Sequence, residues 1–390
     1  MKERILFIRR SAAFGGIEVL LMDWISSVDF GKCAVTVAST MDCYSDKIAD
    51  KGLPVSYETF SLPVMGNPWE IYRSWSRDIR KVSPDKVVFL EGRVDEIPLS
   101  AVLAGYAAAR GNVYMTEHLA WPEPPERTRS THFGFLPGVG LWWYRLMWGV
   151  RIRSYLSRRI LAVSEAVRNT LLSYGYPKEK IAIAYHGVDV ERFSPSPANK
   201  IRWRREHGIP EEACVIVSTA RLAREKRLER LIRAFQISSR DRQDLWLLIA
   251  GDGPLRKELE DSANSTGAGD RIRFLGLVDD VPGLLQASDL FVLPSDREGL
   301  SVSLTEAMSV GLICIATDIP GSEEVIRNDE NGFLVEPDDR GVFEGLEKAL
   351  KMDDRRRRDV ADKARATVMN IFEKKKSIGN IFRLLDIRND

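Results

Sequence analysis

Two glutamates bracket the stretch Glu298-Gly-Leu-Ser-Val-Ser-Leu-Thr-Glu306, which follows the apolar run DLFVLPS and opens a helical pattern. The turn Gly299-Leu300-Ser301 offers free backbone N–H groups, and the positive end of the helix dipole adds to them, a combination that suits a phosphate. A carboxylate set against that phosphate would repel it. Glu298, before the turn, and Glu306, inside the helix, are instead placed to accept hydrogen bonds from hydroxyls. A ligand with hydroxyls on either side of a diphosphate fits this pattern, and a nucleotide sugar has that outline. Two glutamates at this spacing also occur on ordinary solvated helix faces. The strand-to-helix position and the cations upstream favour a site.

Those cations are Arg221 and Lys226, five positions apart in the loop after the run Val215–Ser218. Fixed positive charge beside a departing phosphate stabilises a transition state more than a ground state. Arg224, Arg227 and Arg230 read as a solvated basic loop. Gly251 and Gly253 end the run Leu245–Ala250, where the missing Cβ permits close approach of a ligand or a tight turn. Gly276 to Val278 either line a base pocket through backbone groups or form a plain strand end. In the first half, Gly15 and Gly16 occupy the loop after the first apolar run, with Glu18 at the start of the next helix. The full GxGxxG pattern is missing, which argues against a dinucleotide. His118, at the end of Val113–Met115 beside Glu117, has the position of a hydrogen-bonding group at a strand's carboxyl end.

These residues need a scaffold that collects strand ends. Ile5–Ile8, Ala34–Ala38, Lys86–Leu90, Val113–Met115 and Ile160–Val163 are short and apolar, as buried parallel strands are. Val215–Ser218, Leu245–Ala250, Ile272–Phe274, Leu290–Leu293, Ile313–Ala316 and Phe333–Val335 repeat the rhythm, with helical patterns such as Leu228–Ile237 and Val302–Val310 between strands. The expectation is an α/β chain of two Rossmann-like doubly wound parallel-sheet domains facing an interdomain cleft. Pro195 and Pro197 in HGVDVERFSPSPANK suggest a linker. The expected division is 1–194, 195–372 and a terminal helix 373–390, whose stripe Ile378–Leu385 could dock on either domain. Lys351–Arg365 reads as a solvated helix.

At 390 residues the chain is long enough for two cores. Fifty-seven basic residues balance fifty-six acidic ones, so no global field favours nucleic acid. Cys33, Cys43, Cys214 and Cys314 are scattered, without metal-ligand spacing, and suit a reducing cytoplasm. No apolar run is long enough to span a membrane. The segment 141–160 is rich in tryptophan and arginine and lacks acids. It reads equally as a surface resting on an anionic membrane and as a core helix with its arginines outward.

The chain resembles the retaining GT-B glycosyltransferases of family 4. Beyond the glutamate pair, the resemblance rests on Arg221-Leu-Ala-Arg-Glu-Lys226, Gly251-Asp-Gly-Pro254, Phe274-Leu-Gly-Leu-Val278 and Thr317-Asp-Ile-Pro-Gly-Ser-Glu-Glu324. In the first half it rests on Phe14-Gly-Gly-Ile-Glu18, Val163-Ser-Glu165 and Gly187-Val-Asp189. It implies that Glu298 contacts donor-sugar hydroxyls, Glu306 the ribose, Arg221 and Lys226 the leaving phosphate, and His118 the sugar near its reacting carbon. It also implies transfer with retention, without a metal or other cofactor, from a nucleotide sugar to a glycan, lipid-linked or small-molecule acceptor. Uridine is the first expectation for the donor base and GDP-mannose the second donor. The family often carries Asn where this chain has His186. An epimerase or phosphorylase of the same fold, and a sugar-nucleotide-binding subunit without turnover, are the competing readings.

Overall fold

The computed structural model describes residues 2–10, 16–40, 44–61, 66–93, 96–118, 149–264 and 271–388. Gly15, Phe14 and residues 119–148, including the three tryptophans of the stretch 141–160, lie outside them. The chain forms two compact units, Met1–His186 with Ser377–Asp390, and Gly187–Lys376.

Unit 1 holds a seven-stranded sheet in the order β3-β2-β1-β4-β5-β6-β7. The strands are β1 (Glu3–Arg9), β2 (Cys33–Ser39), β3 (Val55–Thr59), β4 (Lys86–Leu90), β5 (Val113–Glu117), β6 (Arg159–Ala162) and β7 (Ile181–Ile183). Every pairing is parallel. β4 is buried at all its positions, including the lysine, because helices cover both faces of a parallel sheet. The edge strands β3 and β7 are absent from the sequence reading. VSYET is mostly exposed and IAI is only three residues long, so neither shows the continuous apolar run of a central strand.

The terminal helix Lys374–Leu384 belongs to this unit's packing rather than to the residues it follows. Ile378, Ile381, Phe382, Leu385 and Ile387 are buried in one cluster with Phe7, Trp24, Val88 and Tyr114. Lys86 Nζ donates to the carbonyl of Asp386, Tyr114 donates to the Asp386 carboxylate at 2.8 Å, and Arg159 donates to Leu384 O at 2.7 Å. In the described part of 141–160 the two arginines of the helical stretch 149–156 diverge. Arg151 is exposed, whereas Arg153 is buried and donates to Ile97 O at 2.8 Å. The expectation of uniformly outward arginines is therefore corrected, because Ile97 O needs a partner inside.

Unit 2 holds a six-stranded parallel sheet in the order β10-β9-β8-β11-β12-β13. These are β8 (Cys214–Thr219), β9 (Leu245–Ala250), β10 (Ile272–Gly276), β11 (Leu290–Leu293), β12 (Ile313–Thr317) and β13 (Phe333–Val335). Its core joins Ile216, Leu247, Val292 and Ile315 from the sheet to Leu231, Phe235, Leu346 and Val360 from the helices. Pro195 and Pro197 lie inside this unit. Ser196 caps the helix Pro197–Glu206 by accepting from Asn199 N at 3.3 Å, and Pro197 takes the first helical position. A proline there loses no hydrogen bond, so the same residues that suggest a linker start a helix. The charge-dense stretch after Lys351 becomes the helix Asp354–Ile371, with Val360, Ala364 and Val368 buried on its inner side.

Candidate active site

In each unit the strand order reverses once, between β1 and β4 in unit 1 and between β8 and β11 in unit 2. Loops leave the carboxyl ends of neighbouring strands in opposite directions at such a point, opening a crevice where ligands bind. Gly16 after β1, and Arg221, Lys226 and Glu298 after β8 and β11, flank these two places, whereas His118, Gly251 and Gly253, and Val278 follow β5, β9 and β10.

In unit 2, Lys226 follows β8 and Glu298 follows β11. Lys226 Nζ donates to Glu298 Oε1 at 2.7 Å and to Oε2 at 2.9 Å. Ser295 Oγ donates to the same Oε1 at 2.7 Å. A carboxylate offers about four lone-pair directions; with two filled on Oε1 and one on Oε2, a direction on Oε2 remains for a hydroxyl. Gly321 makes room for this glutamate, since a Cβ there would stand 2.7 Å from Glu298 O and 2.8 Å from Glu298 Cβ.

Downstream, Ser301 caps the helix Val302–Val310 by accepting from Leu304 N at 3.3 Å, and Gly311 ends it at φ 85°. Gly299, Leu300 and Ser301 are buried in the turn and Glu306 is half-buried on the helix. Arg221 is 68% exposed and paired with Glu225; it and Arg224 are exposed cations of the loop, while Lys226 is held inside it.

Arg227 and Arg230 do not form a solvated basic loop. Both pair with Asp296, Arg230 at 2.7 Å. Arg230 also donates to Pro294 O at 3.1 Å, and Asp296 N donates to Glu225 O at 2.8 Å. Burial works against ionisation of Asp296, but the two guanidiniums outweigh it and hold its carboxyl below the usual range. The loop carrying Glu298 is thereby tied to the loop carrying Lys226. Sequence reasoning missed Asp296, Arg230 and Ser295, because their partners lie more than sixty positions away or are themselves the conspicuous residue.

Gly251 and Gly253 find their reason in backbone. Gly251 has φ 131°, and a Cβ on it would lie 1.9 Å from Ala220 O; one on Gly253 would lie 2.5 Å from Leu222 O. The loops after β8 and β9 are joined there by Leu222 N to Asp252 O at 3.0 Å and Leu255 N to Leu222 O at 3.0 Å. The close approach is by the chain itself. Val278 is half-buried just after β10, beside the exposed Leu277.

In unit 1, charged residues cap the ends of three adjacent strands. Arg9 Nε donates to Glu18 at 2.7 Å and its Nη1 to Glu91 at 3.1 Å, while Arg10 Nε donates to the other oxygen of Glu91 at 2.8 Å. Burial raises the Glu91 carboxyl pKa despite both arginines. Gly16 opens the helix Gly16–Ser26, which carries Glu18. His118 follows β5, is buried, and its Nε2 lies 2.9 Å from Thr116 Oγ1. Burial lowers its pKa to about 3, with Arg9 and then His186 adding to the effect. Burial alone lowers that of His186 to about 4. Both imidazoles are therefore neutral at neutral pH. Glu117 is fully buried, so it does not face water. Glu91 and Arg9 were missed, although a charge at the end of a buried run, in FIRR and FLEG, was their signal.

Among the described residues no three His, Cys, Asp or Glu side chains gather as a metal site, and no helix is long and apolar enough to cross a membrane.

Two Rossmann-like parallel-sheet units, with Lys226 and Glu298 paired across the strand-order reversal of the second, have the GT-B fold of the glycosyltransferase class. Residues 14–192 match the family model Glycosyltransferase Family 4, and residues 199–367 match Glycosyl transferases group 1. The chain belongs to glycosyltransferase family 4. It is similar to N-acetyl-alpha-D-glucosaminyl L-malate synthase of Bacillus anthracis, 30% identical over 220 residues, 56% of this chain and 57% of that protein. It is also similar to the UDP-Gal:alpha-D-GlcNAc-diphosphoundecaprenol alpha-1,3-galactosyltransferase of Escherichia coli, 32% identical over 167 residues, 42% of this chain and 43% of that protein. These matches span about half the length of the curated relatives. The crystal structure of Anabaena Alr3699/HepE in complex with UDP shares the fold, with a TM-score of 0.79 at 22% identity over 99% of this chain and 100% of that one.

Proposed function

We propose that this chain is a retaining, metal-independent glycosyltransferase that moves a hexose or N-acetylhexosamine from a UDP-sugar, or from GDP-mannose as second choice, to an acceptor hydroxyl. The observation that carries the reading is the Lys226–Glu298 pair across the β8/β11 reversal, beside the capped helix Val302–Val310. In this reading the donor diphosphate meets Arg221, Lys226 and the Gly299–Ser301 turn, where fixed cations and N–H groups offset the charge that develops as the glycosidic bond breaks. Glu298 accepts from sugar hydroxyls through its remaining lone pair, and Glu306 accepts from the ribose. Gly251, Gly253 and Val278 shape the donor pocket through backbone. His118, neutral and buried, offers the transferring sugar one hydrogen bond without bringing a charge.

With retention, the donor's own phosphate oxygen takes the acceptor proton, so the protein orients and stabilises rather than supplying a base. Uridine is favoured by UDP in the structurally similar Anabaena protein and by the UDP-Gal donor in the name of the Escherichia coli relative. The latter name also favours a lipid-linked acceptor among the glycan, lipid-linked and small-molecule classes. Thermal stabilisation against a panel of nucleotide sugars tests the donor, because a ligand at a hundred times its Kd adds about 2.7 kcal/mol. A Tm unmoved by every UDP- and GDP-sugar would sink the reading, as would unchanged turnover in Glu298→Ala, Arg221→Ala and Lys226→Ala.

A further inference from the structure

Unit 1 carries its own cation–carboxylate pair across a strand-order reversal. Arg9 ends β1 and Glu91 follows β4, the two strands between which the order turns. Lys226 after β8 and Glu298 after β11 stand at the corresponding point of unit 2. Glu91 is the more enclosed of the two carboxylates and has two arginines on it.

Glu91 is 2% exposed and accepts three hydrogen bonds. Its Oε1 accepts from Arg10 N at 3.2 Å and from Arg10 Nε at 2.8 Å, and its Oε2 accepts from Arg9 Nη1 at 3.1 Å. Three of about four lone-pair directions are thus filled, which suits a holding role rather than that of a base. An apolar residue would continue the run of β4 without desolvating a charge, and buried ion pairs are often replaced by packed apolar groups with no loss of stability. Stability is therefore a poor account of a carboxylate at this place.

The arrangement of three loops is a better one. Arg10 starts the loop after β1, and its Nη2 reaches on to Glu96 O at 2.9 Å in the loop after β4. Arg9 donates through Nε to Glu18 at 2.7 Å, in the first turn of the helix Gly16–Ser26. Gly92, next to Glu91 in the chain, accepts from His118 N at 3.0 Å and so sets the backbone of the loop after β5. His118 and the Gly16 end of the helix share one fixed point.

We infer that Glu91 is a positioning residue for sugar transfer, holding His118 and the Gly16 end of its helix in one arrangement through Gly92, Arg9 and Arg10. The inference rests on the sugar-transfer reading for what His118 does there, whereas the contacts stand without it.

Hydrogen exchange and steady-state kinetics on the same variants test it. Glu91→Gln keeps the volume but turns an N–H toward one of the arginines, leaving that arginine without its acceptor. Exchange at the His118 amide becomes about tenfold faster than in the native chain. The kcat for transfer falls about tenfold while the donor KM moves about twofold or less, because that reading places the nucleotide in unit 2. Glu91→Asp, which keeps the charge, recovers part of both effects and serves where the amide variant does not fold. Lys86→Met is the control. Lys86 is a buried charge at the opposite end of β4, 5% exposed and paired with Glu3 at 2.8 Å, so its loss lowers Tm and leaves His118 exchange and kcat native.

Native exchange at His118 in Glu91→Gln overturns the inference. Faster exchange with native kcat overturns it too, as do equal losses of kcat in Glu91→Gln and Lys86→Met at matched Tm. A native chain that turns over no nucleotide sugar refutes the sugar-transfer reading and with it the role of Glu91 in transfer, a failure told apart by exchange at His118 that still depends on Glu91.

Discussion

Lys226 Nζ reaches both carboxylate oxygens of Glu298, at 2.7 and 2.9 Å, from a loop seventy-two positions earlier in the chain. The lysine side chain is 20% exposed and the glutamate 7%, so each leaves the other poorly solvated when removed. Glu298→Gln and Lys226→Met are expected to lower kcat by about 10²-fold or more, in the range of losing one preorganised group at a developing charge. Either costs about 1–3 kcal/mol in stability. Steady-state kinetics alongside urea unfolding separates the two effects, and Arg221→Met, at an exposed position, should reduce turnover with little change in the unfolding midpoint.

Asp296 is expected to act on the proposed reaction only through position. With Arg227 and Arg230 bonded to it, and its own amide on Glu225 O, it holds the two loops at one spacing. Asp296→Asn keeps the volume and weakens both ion pairs. Turnover should fall about tenfold through misplacement of Glu298, with the donor KM rising as well. Asp296→Glu should recover part of the loss. A variant with native kinetics would remove Asp296 from the positioning role.

Gly251→Ala is expected to destabilise unit 2 by about 3 kcal/mol or more, because φ 131° and a carbonyl 1.9 Å from the new Cβ both oppose it. Gly208→Ala is the control: φ there is also positive, at 62°, but the space is open. Its cost should be about 1 kcal/mol. Paired urea curves distinguish crowding from backbone conformation.

The two buried histidines predict an acid limb. An unfolded histidine titrates near 6.5, while His118 and His186 in the fold titrate near 3 and 4. Below about pH 6.5 the unfolded chain therefore binds protons that the folded chain does not, and stability falls as the pH falls. Each contributes a slope of at most about 1.4 kcal/mol per pH unit between its two values. The raised pKa of Glu91 works in the opposite direction. Urea midpoints from pH 7 to 5 should decline, and the decline should be shallower in His118→Gln and in His186→Gln.

Much of the scaffold was legible because a central parallel strand is buried on both faces and reads as an unbroken apolar run. β4, β9, β11 and β13 have the bounds that their runs suggested. The edge strands, with a solvated side, left no such mark. Unusual placement was legible where a residue type was odd for its local pattern: Glu298 after DLFVLPS is buried against Lys226, and His118 after β5 is buried beside Thr116. Placement was not legible where meaning depends on a distant partner. Arg230 looks like any helix-face arginine until Asp296 is brought to it, and Gly253 looks like a ligand contact until Leu222 O fills the space. Pro197 showed the same ambiguity, since a linker and a first helical turn favour the same residue.

Because Ile378, Ile381, Phe382 and Leu385 complete the core of unit 1, the order of synthesis and the order of folding run opposite ways. Gly187–Lys376 emerges from the ribosome as an uninterrupted block, whereas the unit begun first waits for Ser377 onward before its interior can close. At about 5–20 residues per second the delay is on the order of 10–40 s. During that interval the nascent first unit leaves open the apolar ground its final helix will fill, a surface on which a chaperone could act.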